Sequence, residues 1–533
     1  MAHAIEYHRL RAPREHGQTF FDPPLARAAT TIAANQQLLQ QHGNMKIAGQ
    51  PLQNLRQQAR RELFVAAQAY SAHTLGQERF QRLGSQAGAA LPETFILSGH
   101  QPELFHPGVW FKNFVLSSLG RSQQAAAINL IIDNDTVAAP AIRVPDTRGE
   151  KATQHWCAYD DPAADLPYEE RALRNRATFA AFPNCTDPAG RLLTSRLWQL
   201  ASTADDQRLG AIVAAARHRL EVDEGLQTLE LPLSVVCDSE VFMRFSLHLL
   251  QNLPALFAIY NGAIQEYRVA NKVRSRSHPV PELARAGDAL EAPFWIWSSD
   301  LPARRPLFVS STDNELVLTD QGHHRYVVPV AAARSTERTY DAWRALRASG
   351  VKIRPRALIT TMYARLPLGE LFLHGIGGAK YDQLTDALIE RFFHVTPPQF
   401  MTVTATIKRF AVDESTPDVL RAVTHRLREL PFHPETAVEP VSDEHRHLIE
   451  EKGRLLAAMP PKGQRKPWHA AIVTINAKLL AFASSEHQRL LALQQQLLDE
   501  LPRTALLSSR EFSFCLFSES LVHQLKRLAD HET

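Results

Sequence analysis

The sequence predicts an α/β fold: a parallel-sheet core, a small antiparallel β insert and a helical C-terminal region. Three observations carry this reading. The first is the order of elements around residues 98–112, SGHQPELFHPGVWFK. An apolar run at 94–97 leads into it, apolar residues at helical spacing follow at 111–119, and a second apolar run at 125–132 ends in Asp133-Asn134-Asp135. Strand, polar loop, helix, strand, acidic loop is the layout of a parallel unit, whose active residues gather past the carboxyl ends of the strands. The second observation is a similar strand–glycine–helix order at 370–386, ELFLHGIGGAKYDQLTD. The third is that the longest helical periodicities fall in the last third, at 441–459 and 470–500.

The elements follow in order. Residues 24–41 and 51–75 carry apolar residues at helical spacing, with Gly43 and Gly49 near their ends. The α/β core starts near residue 92. Residues 146–190 read as an irregular excursion rich in Asp, Pro and Ala. An amphipathic helix is expected at 205–224, a buried strand at 229–236, and helices at 239–250 and 254–273. From 292 the pattern changes to short β-type runs at 294–297, 306–310, 316–318 and 325–330, with turn chemistry at 312–314 and 320–322. Parallel character returns over 357–366 and 371–373 with a helix at 380–393, and 400–406 is a further strand. Between the last two long helical patterns lies the proline-flanked basic loop 460–469, so an antiparallel helical hairpin is expected.

Composition narrows the function classes. The 533 residues give a formal charge of +3 with 22% charged residues, too mild for binding nucleic acid or membrane through bulk electrostatics. The 12 lysines against 47 arginines reflect genome composition more than phosphate chemistry. Four cysteines, Cys157, Cys185, Cys237 and Cys515, form no CxxC pair, and their spacing matches no disulfide or zinc framework. A reducing, cytoplasmic setting is the expectation. The N-terminus has no apolar signal-like core, and no stretch of about 18 apolar residues exists. Neither GxSxG nor HExxH occurs, and no metal-ligand motif is present.

Three loops carry candidate chemistry. In 98–112, Gly99 permits a sharp strand exit, and His100, Gln101, Glu103 and His106 offer proton transfer and hydrogen bonding. Pro107 and Gly108 fit a helix start, where free N–H groups attract phosphate, and Lys112 lies one turn on. A polar turn anchored by Trp110 and Phe111 is the competing reading. Asp133 and Asp135 are placed to hold Mg²⁺, orient an amine or hold a ribose; an ordinary strand-ending turn is the alternative. Gly375, Gly377 and Gly378 before Lys380 and Tyr381 let backbone N–H groups approach a ligand, although glycines also serve close packing. Arg354 and Arg356 could clamp phosphate or carboxylate, or form a solvated turn. The stripe Phe294 to Trp297 reads as core rather than a stacking platform.

These pieces, in this order, resemble the bacillithiol biosynthesis cysteine-adding enzyme (BshC-like) family. Its TGQQ.GLF.GPLYT..K segment is similar to SGHQPELFHPGVWFK, its acidic EDHD-like loop to IDNDT, and its RP element and GGP.E..YW segment to Arg354-Pro355 and LFLHGIGGAKYDQ. SSREFSFCLFSE resembles the family's closing QER..NF segment. His100 stands where the family has glutamine, the acidic loop lacks the family's histidine, and Ala379-Lys380 lies where GGP.E has its glutamate. The resemblance implies a Rossmann-like core with inserts, a C-terminal coiled coil, and a reaction that joins cysteine to an aminosugar conjugate through an amide.

The expected organisation is therefore an N-terminal helical segment at 1–90, a Rossmann-like parallel-sheet core at 91–290 and 336–410, a small antiparallel β insert at 291–335, and a helical region at 411–533. The expected function is a ligase that forms a C–N bond between a carboxylate, such as cysteine, and an amine or aminosugar, using ATP or ADP with Mg²⁺. In that scheme the backbone around Gly108, Gly377 and Gly378 binds phosphate, with Gly99, Gln101, His106, Lys380 and Tyr381 as further substrate- or nucleotide-binding residues. Lys112 and Arg354 offset phosphate charge. Asp133 or Asp135 holds Mg²⁺ or orients the nucleophile, and His100 acts as acid or base near working pH. The alternative is a non-catalytic nucleotide- or metabolite-binding protein on the same fold. A small-molecule substrate is the expected partner, with a homodimer formed through the C-terminal helices.

Overall fold

The computed structural model describes residues 5–7, 10–136, 139–149, 152–163, 166–275, 280–330 and 336–530. The chain divides into two compact units. One comprises Met1–Val144, Trp156–Ile407 and Arg510–Thr533; the other comprises Pro145–His155 and Lys408–Ser509.

The first unit is α/β and is built on a six-stranded sheet. Its strands are β1 (Thr19–Asp22), β2 (Phe95–His100), β3 (Ala126–Ile131), β4 (Leu229–Pro232), β5 (Leu371–His374) and β6 (Met401–Ala405), in the spatial order β1-β6-β5-β2-β3-β4. All neighbours are parallel except β1, which runs antiparallel to β6 at the edge. Every residue of β3 is buried, as expected of a strand covered on both faces. The chain steps from β2 to β3 to β4 in one direction, then returns to place β5 on the other side of β2. The strand order thus reverses between β2 and β5. In open α/β sheets such a point leaves a crevice at the carboxyl ends of the strands.

Helices α1 (Ala28–Gln41), α2 (Leu52–Leu75), α3 (Pro107–Ser122), α4 (Leu209–Asp223) and α5 (Ile376–Phe393) belong to this unit. Helix α3 crosses between β2 and β3 and is buried almost all round. Gly120 on α3 lets the helix meet the sheet, since a Cβ there would lie 2.6 Å from the Cβ of Ala127. Helix α2 buries Leu52, Leu55, Ala59, Leu63, Phe64 and Ala67 along one face. Its Arg56 pairs with the buried Glu370, whose other oxygen accepts the amide of Phe95 at 2.7 Å. Glu370 therefore ties the N-terminal helices to the starts of β2 and β5.

Several expectations are corrected. Helix α4 is buried nearly all round rather than amphipathic. The strand expected over 229–236 stops at Pro232, and Leu233–Cys237 is a short helix. Residues 357–366 are helical, not a strand. The stretch 146–190 includes strand Thr153–Ala158 and helix Arg176–Thr186, and a disulfide joins Cys157 to Cys185 with Cα atoms 6.2 Å apart. The 28-residue spacing of those cysteines carries no motif, so only the fold could reveal the pair. The antiparallel insert is larger than 291–335. It contains Ala289–Ser298, Arg305–Ser311, Glu315–Thr319, Arg325–Pro329 and also Val351–Pro355, so Arg354-Pro355 lies in this sheet and not in the parallel core.

The second unit is helical: α6 (Thr416–Glu429), α7 (Asp443–Ala457), α8 (Arg465–Phe482) and α9 (Ser484–Leu507). Helices α6 and α9 share a core that includes Val423, Leu490 and Leu497; α7 and α8 share Leu448, Ile475 and Leu479. The periodic stretch 470–500 breaks at Ala483, and α8 starts inside the expected loop 460–469. The helical unit ends at Ser509 rather than at the chain end. Residues from Arg510 onward belong to the first unit, where Phe514 donates its amide to the Phe105 carbonyl at 2.8 Å and α10 (Ser520–Asp530) follows. Among the described residues no helix is long and apolar enough to cross a membrane.

Candidate functional site

A cavity of about 890 Å³ opens in the first unit at the carboxyl ends of β2, β3 and β5, where the strand order reverses. It lies in the size range of small-molecule sites. All three loops singled out from the sequence reach it. Gly99, His100, Gln101, His106, Gly108 and Lys112 come from the first, Asn134 and Asp135 from the second, and His374, Gly375, Gly377, Gly378, Lys380 and Tyr381 from the third.

In the first loop, β2 runs to His100 and α3 starts at Pro107. His106 is the N-cap, and its Nδ1 accepts the Gly108 amide at 3.1 Å. Pro107 has no N–H, and the Val109 amide donates to the His106 carbonyl at 3.0 Å. The first turn of α3 is thus closed internally. Gly108 answers a packing need: a Cβ would stand 2.4 Å from both the Ala405 carbonyl oxygen and the Arg510 guanidinium. The expected phosphate-binding role of the Gly108 backbone is therefore corrected. His100 Nδ1 lies 3.2 Å from the Gln101 carbonyl, and its ring meets Phe105 edge-on. Burial, helped by the charge of Lys112, pushes His100 down to about 3, so it is neutral at neutral pH and not the group titrating near working pH that was expected. Lys112 is buried and donates to the Gly99 carbonyl at 2.8 Å; burial lowers it to about 8. Burial also lowers His106, which faces Glu511 at 3.6 Å. Glu103 lies outside the cavity and accepts from the Tyr168 hydroxyl.

The acidic loop divides. Asp135 faces the cavity and accepts from Gln101 Nε2 at 2.8 Å, Arg304 Nη1 at 2.9 Å and the Thr136 amide at 2.8 Å. Asp133 does not line the cavity. It is buried and accepts the backbone amide (2.9 Å) and the hydroxyl of Ser234, and burial pushes its carboxyl up. Asp133 is thus structural. The two carboxylates therefore do not face the cavity together. Arg354 is also removed from the site. It is buried between Glu169 at 3.0 Å and Asp238 at 3.0 Å.

The third loop is open where the first is closed. Helix α5 starts after Gly375, and no side chain caps it. Gly377 is exposed, Gly375 and Gly378 are half-buried, and a Cβ on Gly375 or Gly377 would meet nothing within 4 Å. Lys380 is exposed one turn into the helix. The Tyr381 hydroxyl is raised by burial. His374, the last residue of β5, is buried. Its Nε2 lies 3.1 Å from Asp382 Oδ2, and Asp382 also accepts from Arg365 at 2.6 Å and Thr361 at 2.8 Å.

Sequence reasoning missed the far wall. The stripe Phe294 to Trp297 is only partly core: Phe294 and Ile296 are buried on one face of the strand, and on the other Trp297 is buried with its Nε1 donating to Glu170, while Trp295 is half-buried and lines the cavity. The guanidinium carbons of Arg304 and Arg356 lie 4.4 and 4.2 Å from the Trp295 ring centroid. Arg356 also pairs with Glu291. Arg510 binds Thr404 and Thr406 hydroxyls at 3.0 and 2.9 Å. Asn134, His374 and Arg510 lie inside motifs that the sequence marked, but without a role of their own; nothing local marked Arg304 or set Trp295 apart from its neighbours. The cavity wall holds six cationic side chains, Arg11, Lys112, Arg304, Arg356, Lys380 and Arg510, against two carboxylates, Asp135 and Glu511. Such a wall favours an anionic ligand. No protein-family model matches the chain, and no curated protein matches it in sequence.

Proposed function

We propose that this protein is a BshC-like enzyme on a Rossmann-like frame. It binds a phosphate-bearing nucleotide in the switch-point cavity and forms a C–N bond between a carboxylate and an amine. The carboxylate, of the amino-acid class that includes cysteine, is activated as an acyl phosphate. The amine is of the aminosugar class. The observation that carries this reading is the convergence of three separate loops on one cationic cavity, with an uncapped, glycine-rich helix start at one end and Trp295 at another wall. The α5 amides and Lys380 would take phosphate oxygens. Lys112 supplies a second, buried positive charge. Trp295 holds Arg304 and Arg356 against its ring and so fixes two further positive charges on this wall. Gln101 and Arg304 hold Asp135 to orient the amine.

The test is thermal stabilisation with ATP–Mg²⁺, ADP and aminosugars, followed by nucleotide turnover when a carboxylate and an amine are both present. The reading expects a rise in melting temperature with ADP or ATP, and nucleotide hydrolysis that needs both co-substrates. No shift with any nucleotide would count decisively against it. The non-catalytic alternative is favoured by the departures from the resembling family: His100 stands where the family has glutamine, and Ala379-Lys380 lies where it has glutamate. Binding without nucleotide consumption would select that alternative. Exposed Leu456, Met459, Val473, Leu491 and Leu498 on the helical unit support self-association through it. A monomer by light scattering at high concentration would sink that part.

A further inference from the structure

We infer that His374, held by Asp382, is the proton-transfer residue of the cavity. This rests on the C–N ligase reading above and adds a residue that the sequence did not offer.

The argument starts from the ring's two nitrogens. Nε2 lies 3.1 Å from Asp382 Oδ2. Asp382 is fixed by Arg365 and Thr361, and against the pull of burial His374 and Arg365 hold its carboxyl well below the usual range. An ionised Asp382 accepts only, so the neutral ring carries its proton on Nε2. Nδ1 then presents a lone pair. It has no hydrogen bond among the described residues, and the side chain is 7% exposed. A Cβ on Gly378 would lie 2.7 Å from Nδ1, so that nitrogen sits over the first turn of α5. The rings of Phe372 and Phe400 pack against the imidazole at 4.5 and 5.0 Å. The charged groups facing it are Asp382 and, behind it, Arg365.

The step balances. The amine lone pair forms the C–N bond to the acyl phosphate, and the amine proton passes to Nδ1. The C–O bond to phosphate breaks with its electron pair on the departing phosphate, and the imidazolium later returns the proton to water. Asp382, a positioning residue, stabilises the imidazolium.

The experiment has two readouts. In protein labelled with ¹⁵N-histidine, His374 is expected as the Nε2–H tautomer, with Nδ1 perturbed by adding ADP; Asp382→Asn abolishes that preference. An Nδ1–H tautomer would overturn the inference with no assay needed. In turnover, His374→Gln is expected to lose about 10²- to 10⁴-fold in kcat with KM little changed. Asp382→Asn is expected to lower kcat with KM little changed, and Asp382→Glu to restore part of the rate. Melting curves separate these effects from misfolding. Wild-type turnover with an equally active, folded His374→Gln variant would overturn this inference and leave the ligase reading standing. No nucleotide binding by the wild type would remove both.

Discussion

Two loops of this molecule share a sequence pattern and differ in what they offer a ligand. Both follow a strand of one parallel sheet, both contain glycine, and both open a helix beside the same cavity. In the first, His106 caps the helix with its own ring, Pro107 removes a donor, and Gly108 is pressed against β6. In the second, no side chain caps α5, and Gly375 and Gly377 face open space. A glycine before a helix can thus mean tight packing or an open anion site. Its neighbours decide which. The loop richest in polar residues is the more closed of the two, and the plainer one leaves its helix start open.

The largest expected effect tests this contrast directly. Gly108→Ala forces a methyl group into the Ala405 carbonyl and the Arg510 guanidinium, so it should destabilise the protein by about 3 kcal/mol. Gly377→Ala places its methyl in open space on a helix. It should be neutral or stabilising by up to about 1 kcal/mol. Chemical denaturation of the two variants measures both. Equal losses would erase the difference between the loops.

A smaller effect is expected at Lys112. Its folded pKa is lowered from 10.5 to about 8, mainly by burial. Between those values the unfolded chain binds more protons than the folded one, so stability should rise with pH across pH 8 to 10.5. Below pH 8 the buried charge is a standing cost. Lys112→Met should therefore stabilise the protein at pH 7 by about 1–2 kcal/mol and flatten the rise above pH 8, while weakening the binding of ADP. If the variant is instead less stable at pH 7, the bond from Nζ to the Gly99 carbonyl outweighs desolvation, and Lys112 is a structural residue.

How legible the molecule was follows from the range of each interaction. The βαβ order around 98–135 was readable, because a buried parallel strand is a continuous apolar run and α3 is short and well bounded. The convergence of His100, Asp133 and Gly377 was expected from their places at strand carboxyl ends; His100 and Gly377 do line one cavity, but Asp135 stands there instead of Asp133. Asp133 and Asp135 could not be told apart, because only the fold brings Ser234 to one and Arg304 to the other. Arg354 was misplaced for a similar reason: its partners, Glu169 and Asp238, lie more than a hundred residues away. His374 was hidden because a histidine ending an apolar strand looks like core until Asp382 is seen beside it. The return of Arg510 to the first unit, after the stretch Lys408–Ser509 of the second, had no local signal.

The smallest expected effect concerns acid stability, and it again sets the two loops apart. His100 is lowered from 6.5 to about 3, with burial the main cause and Lys112 the next. A histidine lowered on folding is protonated more readily in the unfolded chain. Its contribution is intact above pH 6.5 and is lost as pH falls from there toward 3. Burial lowers His106 as well, so it acts in the same direction. His100→Gln removes the titrating group and keeps a side chain of similar reach. The variant should lose less stability than wild type between pH 6.5 and pH 4, by on the order of 1 kcal/mol at pH 5. Urea unfolding at several pH values reads this. Parallel curves for the two proteins would mean that His100 is reached by solvent in the folded state. The first loop would then be more open than its cap and packing imply, and the contrast with the α5 loop would narrow to Gly108 alone.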